Sequence, residues 1–366
     1  MEQLTRRAFH QRVLSLLACG VLGRKMMAGP PESERHEPRA SPGGLTDVPG
    51  IKVGHFTHSQ RPTGCTVVLA EEGAIAGVDV RGSAPGTRET DLLNPIHTVQ
   101  KVHAVVLAGG SAFGLDAASG VMQYLEERGI GFETRVAKVP IVPAAILFDL
   151  AVGDPRIRPD REAGYRACVR ASAGPVEEGN VGAGAGATVG KLFGLDRAMK
   201  GGLGTASVRV GEVIVAALVV VNAVGDVVDP RTGRLLAGVR TPDGKHLADA
   251  LALLRRGERP ASLRPGENTT LGVIATNAAF DKAGMTKIAQ MGHDGLARAI
   301  RPVHMPFDGD TLFALSTGRV RGADLGLVGA LAAEVVAEAV VRAVLKAESV
   351  PGYPAARDLL RASDAR

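Results

Sequence analysis

The sequence predicts a single α/β domain, and three observations lead to it. From Leu45 onward, apolar runs of strand length alternate with stretches of helical periodicity. Hydrophobic residues make up 45% of the 366-residue chain, enough for a large core and against wholesale disorder. No segment repeats at a fixed period, so the alternation is not that of a solenoid or propeller.

The elements follow in order. Cys65–Ala70 and Ala74–Val80 are apolar runs on either side of Glu71-Glu72-Gly73, a sequence that predicts a turn between two strands. Val102–Ala108 is a buried strand, followed by Gly109-Gly110-Ser111 and a predicted helix over 115–128 that Gly129 ends. Residues 179–211 hold ten glycines in 33 positions, including Gly182-Ala-Gly-Ala-Gly-Ala-Thr-Val-Gly190-Lys191. Alternating Gly and Ala strips side chains from the chain and lets another backbone approach. A strongly apolar strand over 212–221 ends at Asn222, a hairpin-like segment covers 223–229, and a short helix covers 246–256. Residues 259–267 are rich in Pro and charge and predict an exposed irregular segment, after which Asn268-Thr269-Thr270 opens a strand over 271–276. A helix over 281–300, a strand over 312–316 and a long helix over 325–348 complete the domain. Glu334, Glu338, Arg342 and Lys346 interrupt the last helix, so it packs on protein rather than crossing a bilayer.

Charge narrows the partners. The chain carries 43 Lys and Arg against 38 Asp and Glu, a formal net charge of +5. Residues 1–44 hold seven of the cations and four of the anions, so +3 of that charge lies ahead of the domain. With 3% aromatics and no basic stripe in the body, no nucleic-acid partner is expected. The leader opens on Thr5-Arg6-Arg7-Ala8-Phe9 and a short apolar run over 13–22. Residues 1–28 resemble a twin-arginine export signal, which implies an exported, periplasmic protein; a basic leader without that role leaves it cytoplasmic. Leu16-Leu17-Ala18-Cys19 resembles a lipoprotein cleavage box, so a membrane is expected as partner only if Cys19 is lipidated. Residues 29–44 predict a linker, and 45–366 a single folded domain.

Most familiar chemistries are excluded by spacing. Cys19, Cys65 and Cys168 form neither a disulfide framework nor a metal-ligand pattern. Gly109–Gly114 is not a dinucleotide fingerprint, and in Gly186-Ala-Thr-Val-Gly190-Lys191-Leu192 the spacing and the missing hydroxyl rule out a phosphate loop. There is no G-x-S-x-G elbow and no H-E-x-x-H. His55, His58, His97, His103, His246, His293 and His304 lie in separate contexts and predict turn or packing roles. No metal and no organic cofactor is expected.

The informative site is Glu267-Asn268-Thr269-Thr270, where an irregular segment meets a buried strand. Self-cleavage at Asn268–Thr269 needs this arrangement. The Thr269 hydroxyl attacks the Asn268 carbonyl, an ester forms by an N-to-O shift, and water releases a chain that begins at Thr269. The freed α-amine, with a reference pKa of about 7.7–8.0, then serves as base for its own hydroxyl.

Several motifs in order over residues 45–318 carry a resemblance: Leu45-Thr-Asp-Val-Pro-Gly-Ile-Lys-Val-Gly-His55, Val142-Pro-Ala-Ala-Ile-Leu-Phe-Asp149, Gly179-Asn-Val-Gly-Ala-Gly184, Gly272-Val-Ile-Ala-Thr-Asn277 and Phe307-Asp-Gly-Asp-Thr311. Together they resemble the DmpA/BapA family of self-processing aminopeptidases, which includes β-aminopeptidases. The Asn-Thr junction with Asp-Gly-Asp is most similar to its threonine branch, with the 6-aminohexanoate (nylon) oligomer hydrolases. The resemblance implies a four-layer αββα sandwich of the N-terminal-nucleophile type, related to that of the ornithine acetyltransferases. It also implies cleavage into 45–268 and 269–366 chains and a homo-oligomer of the processed pairs.

By the same resemblance, Thr269 matches the nucleophile and Lys191 a lysine near it, whose charge favours the neutral form of the Thr269 amine. Asn222 matches an asparagine whose amide donates to the developing oxyanion. Asp308 and Asp310, two apart and so on one face of an extended chain, match acids that orient Thr269 and anchor the substrate's amino group. Phe148 stands where several members carry a tyrosine, which removes a hydroxyl from the site. The expected activity is hydrolysis of small peptides or amino-acid amides from their N-terminus through an acyl-enzyme on Thr269. The alternatives are an ω-amino-acid oligomer hydrolase of the same mechanism, an ornithine acetyltransferase-like acyltransferase, and a non-catalytic oligomeric binding protein.

Overall fold

In the computed structural model, residues 43–261 and 266–364 are described. The leader, the linker up to residue 42 and Cys19 lie outside them, and with them the export and lipidation expectations. Nine strands make one hydrogen-bonded sheet: β1 (Lys52–Thr57), β2 (Gly64–Val80), β3 (Thr87–Arg88), β4 (Lys101–Ala108), β5 (Ala144–Ile146), β6 (Gly202–Val210), β7 (Val213–Asn222), β8 (Thr269–Ala278) and β9 (Thr311–Val320). Their order is β6-β7-β8-β9-β2-β4-β5-β3, with β1 on the other side of β2. Four helices flank it: α1 (Ala117–Glu126), α2 (Arg161–Val169), α3 (Lys282–Ala299) and α4 (Leu325–Lys346).

Side-chain alternation along the strands sorts the molecule into four layers. On β7, Val215, Ala217, Val219 and Val221 pack with α3 and α4, through residues such as Ile288, Leu296, Val336 and Val340. Their neighbours Ile214, Ala216, Leu218 and Val220 point the other way, into a core shared with Val105 and Leu107 of β4 and Phe313 of β9. A third cluster joins Val67 and Leu69 of β2 and Val106 of β4 to Val121 and Leu125 of α1 and Cys168 of α2. The order is helices, sheet, core, sheet, helices, the predicted αββα sandwich. Both faces of each strand are apolar because both are covered.

The two sheet layers are continuous, and the strand that joins them corrects one expectation. No turn separates Cys65–Ala70 from Ala74–Val80; both belong to the 17-residue strand β2. Its first half pairs with β4 and its second with β9, and the β2–β4 register shifts between Leu69 and Ala74. Gly73, at φ +79°, takes up that irregularity, so the Glu-Glu-Gly signal marks a bulge in one strand. Among the elements that escaped the sequence reading are β1, β3, β5, β6, α2 and a last helix over Ala356–Asp364. β6 is too glycine-rich to look like a strand, and α2 is only nine residues long, with Asp160 as its N-cap accepting from Ala163 N–H.

Close helix–sheet contact depends on small residues. A Cβ on Gly77 of β2 would lie 2.2 Å from the backbone nitrogen of Thr286 and 2.5 Å from the Met285 carbonyl carbon in α3. Neither atom can move without the helix. Gly77→Val should therefore destabilise the domain by about 1–3 kcal/mol or more, read as a lowered urea midpoint, whereas Gly174→Ala, at an exposed glycine without positive φ, should leave that midpoint nearly unchanged.

Candidate active site

The junction Asn268–Thr269 lies where four segments converge. Thr269 opens β8 directly opposite Asn222, the last residue of β7. Asn268 forms a parallel bridge with Asp308, which leads into β9. Asn268 and Thr269 are 1% and 2% exposed, so this peptide bond sits in the interior; residues 262–265 of the segment expected to be exposed and irregular lie outside the described residues.

The carbonyl oxygen of Asn268 accepts two hydrogen bonds. The Thr269 hydroxyl, Oγ1, donates to it at 2.6 Å, and the Gly309 backbone N–H donates at 2.9 Å. The hydroxyl that would attack thus lies beside the carbonyl it would attack, and a backbone donor already holds the oxygen on which negative charge would develop. Only glycine fits at 309, since a Cβ there would come within 2.8 Å of Thr269 Oγ1 and 2.9 Å of the Ala84 carbonyl oxygen.

Lys191 and Asn222 form one unit. Lys191 Nζ donates to the backbone oxygen of Asn222 at 2.9 Å, to its Oδ1 at 3.0 Å and to the Glu267 carbonyl at 3.3 Å. Asn222 Oδ1 also accepts from Thr188 N–H at 3.0 Å, and Nδ2 donates to the Phe148 carbonyl at 3.0 Å. Burial pushes the Lys191 ammonium from 10.5 down to about 7, against the pull of Asp308, Glu267, Asp310 and Asp149. Phe148 serves Asn222 through its backbone, a contact that its missing hydroxyl does not touch.

The two acids are held differently. Asp310 Oδ1 accepts Thr270 N–H at 2.7 Å, while Oδ2 lies 2.8 Å from His304 Nδ1 and 3.2 Å from His304 N. Asp308 Oδ2 accepts Met305 N–H at 2.9 Å, and its buried Oδ1 has no partner among the described residues. Burial first, then the neighbouring Asp310, raises the Asp308 carboxyl from 3.8 to about 7. At neutral pH it can therefore take up or release a proton, as a general acid–base needs. His304, expected in a turn or packing role, lies in a left-handed turn at φ +57° and also reaches Asp310.

The Gly/Ala run makes the close approach its composition predicts. A Cβ on Gly186 would meet the Pro62 oxygen at 2.4 Å, and one on Gly190 the Gly238 carbonyl carbon at 2.1 Å. Lys200, fully buried, ties the run down by donating to the carbonyls of Gly184, Ala187 and Gly201 at 2.9, 3.0 and 3.1 Å. On the far wall, Asp149 accepts from Arg61, Thr63 and Gly110 N–H at 2.9, 2.6 and 2.9 Å. Between these walls a cavity of about 130 Å³ opens against the junction, lined by Phe148, Val152, Lys191, Leu195, Glu267 and Asn268 among others. No group of three or more His, Cys, Asp or Glu side chains among the described residues is arranged to hold a metal ion.

The five residues expected from sequence and the predicted cleavage site thus fall in one cluster. Gly309, Thr188, His304 and the Phe148 carbonyl were missed. For Gly309 the available signal was the glycine of Asp-Gly-Asp; for the others there was none.

The four-layer frame is the Ntn-hydrolase fold, as in the L-aminopeptidase D-Ala-esterase/amidase of Ochrobactrum anthropi, whose structure revealed a new variant of that fold (TM-score 0.63, 21% identity, covering 88% of this chain and 94% of that one). A beta-aminopeptidase from Burkholderia sp. superposes similarly, with TM-score 0.64 and 23% identity over 89% and 95% of the two chains. The chain belongs to peptidase family S58, whose profile matches residues 44–357, and is an aminopeptidase-like hydrolase. An uncharacterized aminopeptidase of Mycobacterium tuberculosis is 45% identical over 347 residues, covering 86% of this chain and 97% of that protein. A 6-aminohexanoate-oligomer endohydrolase of Kocuria sp. is 33% identical over 312 residues, covering 81% and 84%.

The buried lysines give the intact chain a characteristic pH response. Burial lowers both Lys191 and Lys200 to about 7, whereas the unfolded chain keeps these protons up to the ordinary 10.5. Across that window the unfolded state binds more protons, so stability rises with pH. Urea unfolding of the Thr269→Ala chain should show a midpoint that increases from about pH 7 to 9, and Lys200→Met in that background should flatten the rise by about half.

Proposed function

We propose that this chain cuts itself between Asn268 and Thr269 and that the new N-terminal Thr269 is the nucleophile of an aminopeptidase. The observation that carries the reading is the shared oxygen: Thr269 Oγ1 and Gly309 N both bond the Asn268 carbonyl, at 2.6 and 2.9 Å. In the uncut chain the Thr269 nitrogen is an amide and cannot act as base. Asp308, with its free Oδ1 and a carboxyl near neutrality, supplies the base for this first step. Its carboxylate takes the hydroxyl proton as Oγ1 bonds to the Asn268 carbonyl carbon, and Gly309 N–H stabilises the oxyanion. The C–N bond then breaks, its nitrogen takes the proton, and water hydrolyses the ester to an Asn268 carboxylate and a free Thr269 amine.

In the mature enzyme that amine takes over as base. The substrate acyl carbon bonds to Oγ1, its amine leaves with the transferred proton, and water releases the acyl group by the same path. Lys191, held against Asn222 and Glu267, keeps positive charge near the new amine and favours its neutral form. The apolar side of the 130 Å³ cavity suits a small acyl side chain, and the aminopeptidase relatives support release of N-terminal residues from peptides or amino-acid amides. The 33% identity to 6-aminohexanoate-oligomer endohydrolases favours ω-amino-acid amides as a second substrate class. Export of the chain and assembly of the processed pairs into a homo-oligomer belong to the same proposal.

Denaturing electrophoresis should resolve two fragments, and N-terminal sequencing of the smaller should begin at Thr269. Thr269→Ala should stay uncut and inactive, and Asp308→Asn should cut at least about 10²-fold more slowly. A wild-type chain that stays whole, or a Thr269→Ala chain that still hydrolyses amino-acid amides, would sink the reading.

A further inference from the structure

We propose that Arg61 is a specificity-determining positioning residue: by gripping the backbone of the loop after β5, it fixes one wall of the 130 Å³ cavity and so limits the acyl side chains that the site accepts. The inference rests on the aminopeptidase reading above and deepens it.

The loop runs over residues 147–160, from the end of β5 to the start of α2, and belongs to no strand or helix. Yet Phe148, Asp149, Ala151 and Val152 near its start line the cavity. Inside the loop, Val152 N–H bonds the Asp149 carbonyl at 3.0 Å and Ile157 N–H the Asp154 carbonyl at 3.2 Å. Backbone without a ladder needs partners from elsewhere. Arg61, in the connection between β1 and β2, supplies them. Its Nε donates to the Val152 carbonyl and its Nη1 to the Ile157 carbonyl, each at 2.6 Å. Nη2 donates to the Asp149 carbonyl and, at 2.9 Å, to Asp149 Oδ1. One planar fork thus makes four bonds to one loop, and three of them land on residues that line the cavity. The side chains of Arg61 and Asp149 are both fully buried. Replacing such a pair by apolar residues is often neutral for stability, so stability alone does not account for it.

Other segments pin the same point. A Cβ on Gly109, at the end of β4, would lie 2.2 Å from Asp149 Oδ2, and one on Gly186 of the Gly/Ala run would lie 2.6 Å from it. Thr63 Oγ1 donates to Oδ2 at 2.6 Å and Gly110 N–H to Oδ1 at 2.9 Å. The residue before Asp149 presents the Phe148 carbonyl, which accepts Asn222 Nδ2 at 3.0 Å. A small shift of the loop would therefore reshape the cavity and disturb its junction with Asn222. The cavity is smaller than the ~150 Å³ that admits a benzene ring, so a rigid wall excludes a benzyl side chain together with its acyl backbone.

The test compares kcat/KM of the mature enzyme for the amides of L-alanine and L-phenylalanine. The ratio of the two values does not depend on how much chain has folded or processed, so a merely structural defect leaves it unmoved. The wild type should favour alaninamide by at least about tenfold. Arg61→Lys keeps a cation beside Asp149 but loses the fork that spans the Val152 and Ile157 carbonyls. Its ratio should fall about tenfold, chiefly through a lower KM for phenylalaninamide. Thr63→Val removes a bond to the Asp149 carboxylate and leaves the fork in place, so its ratio should stay within about twofold of wild type. Arg61→Gln replaces the lysine variant if that chain fails to fold. An unmoved ratio in the Arg61 variant, or an equal fall in Thr63→Val, would overturn the proposal. A wild-type chain that cuts itself but prefers neither amide sinks this inference alone, whereas one that stays whole sinks the aminopeptidase reading and this inference with it.

Discussion

Everything at this site depends on one constraint: the Asn268–Thr269 peptide is clamped in the interior between two strand ends and a turn. β7 supplies the register partner Asn222, and the Asp308-Gly309-Asp310 turn supplies a bridge, a backbone donor and two acids. Placing an attacking hydroxyl against an amide carbonyl removes most of the entropic barrier to their meeting. That placement comes from the sheet, since β8 is central, paired with β7 on one side and β9 on the other, with both faces covered. The long strand β2 matters for the same reason. It pairs with β9 and with β4, so the layer that carries the junction and the layer that carries the Asp149 wall form one continuous frame.

Much of this was legible in the sequence. Uninterrupted apolar strands announced a sheet covered on both faces, and three of the helices that cover it, α1, α3 and α4, were foreseen from their periodicity. The cluster was legible where side chains make it, since Asn222 and Thr269 stand at strand ends and Asp308 and Asp310 flank a glycine. What stayed hidden is what the backbone does. The Gly309 N–H and the Phe148 carbonyl would exist whatever the side chains, so no residue type advertises them. His304 was hidden for another reason: its partner is six residues on, and only a left-handed turn brings the ring back to it. β6 was lost because glycine depresses strand propensity, although here the glycines are needed. A Cβ on Gly204 would strike the Ala339 carbonyl oxygen of α4 at 2.1 Å.

The charges buried around the junction fit a centre through which protons pass. A buried, unpaired lysine or carboxylate is costly, and a protein under no other constraint replaces it with apolar residues. Here Lys191 and Asp308 are pushed from opposite ends of the scale to about 7. Burial acts on both in the same sense, disfavouring the charged form of each. Lys200 is lowered as far, yet it contacts only the carbonyls of the Gly/Ala run. The first two stand beside the Asn268–Thr269 junction, and the third anchors the loop that ends at Lys191.

Asn268 carries the last step of the argument. Both polar atoms of its side chain are buried without a partner among the described residues, whereas the neighbouring Asn222 amide is bonded at both ends. Each unmet group costs about 1–3 kcal/mol. The backbone clamp holds the residue there, by the Gly309 bond to its carbonyl and the bridge to Asp308. On the self-cleavage reading, hydrolysis turns Asn268 into a chain end, free to withdraw and rehydrate its amide. The cost of burying that side chain is then a property of the uncut chain alone, and its release favours the cleaved state. Withdrawal would also open the 130 Å³ cavity, which Asn268 lines, to the position that the scissile carbonyl had filled. The carbonyl of a substrate would enter that vacated place and meet the Gly309 donor that had held the chain's own.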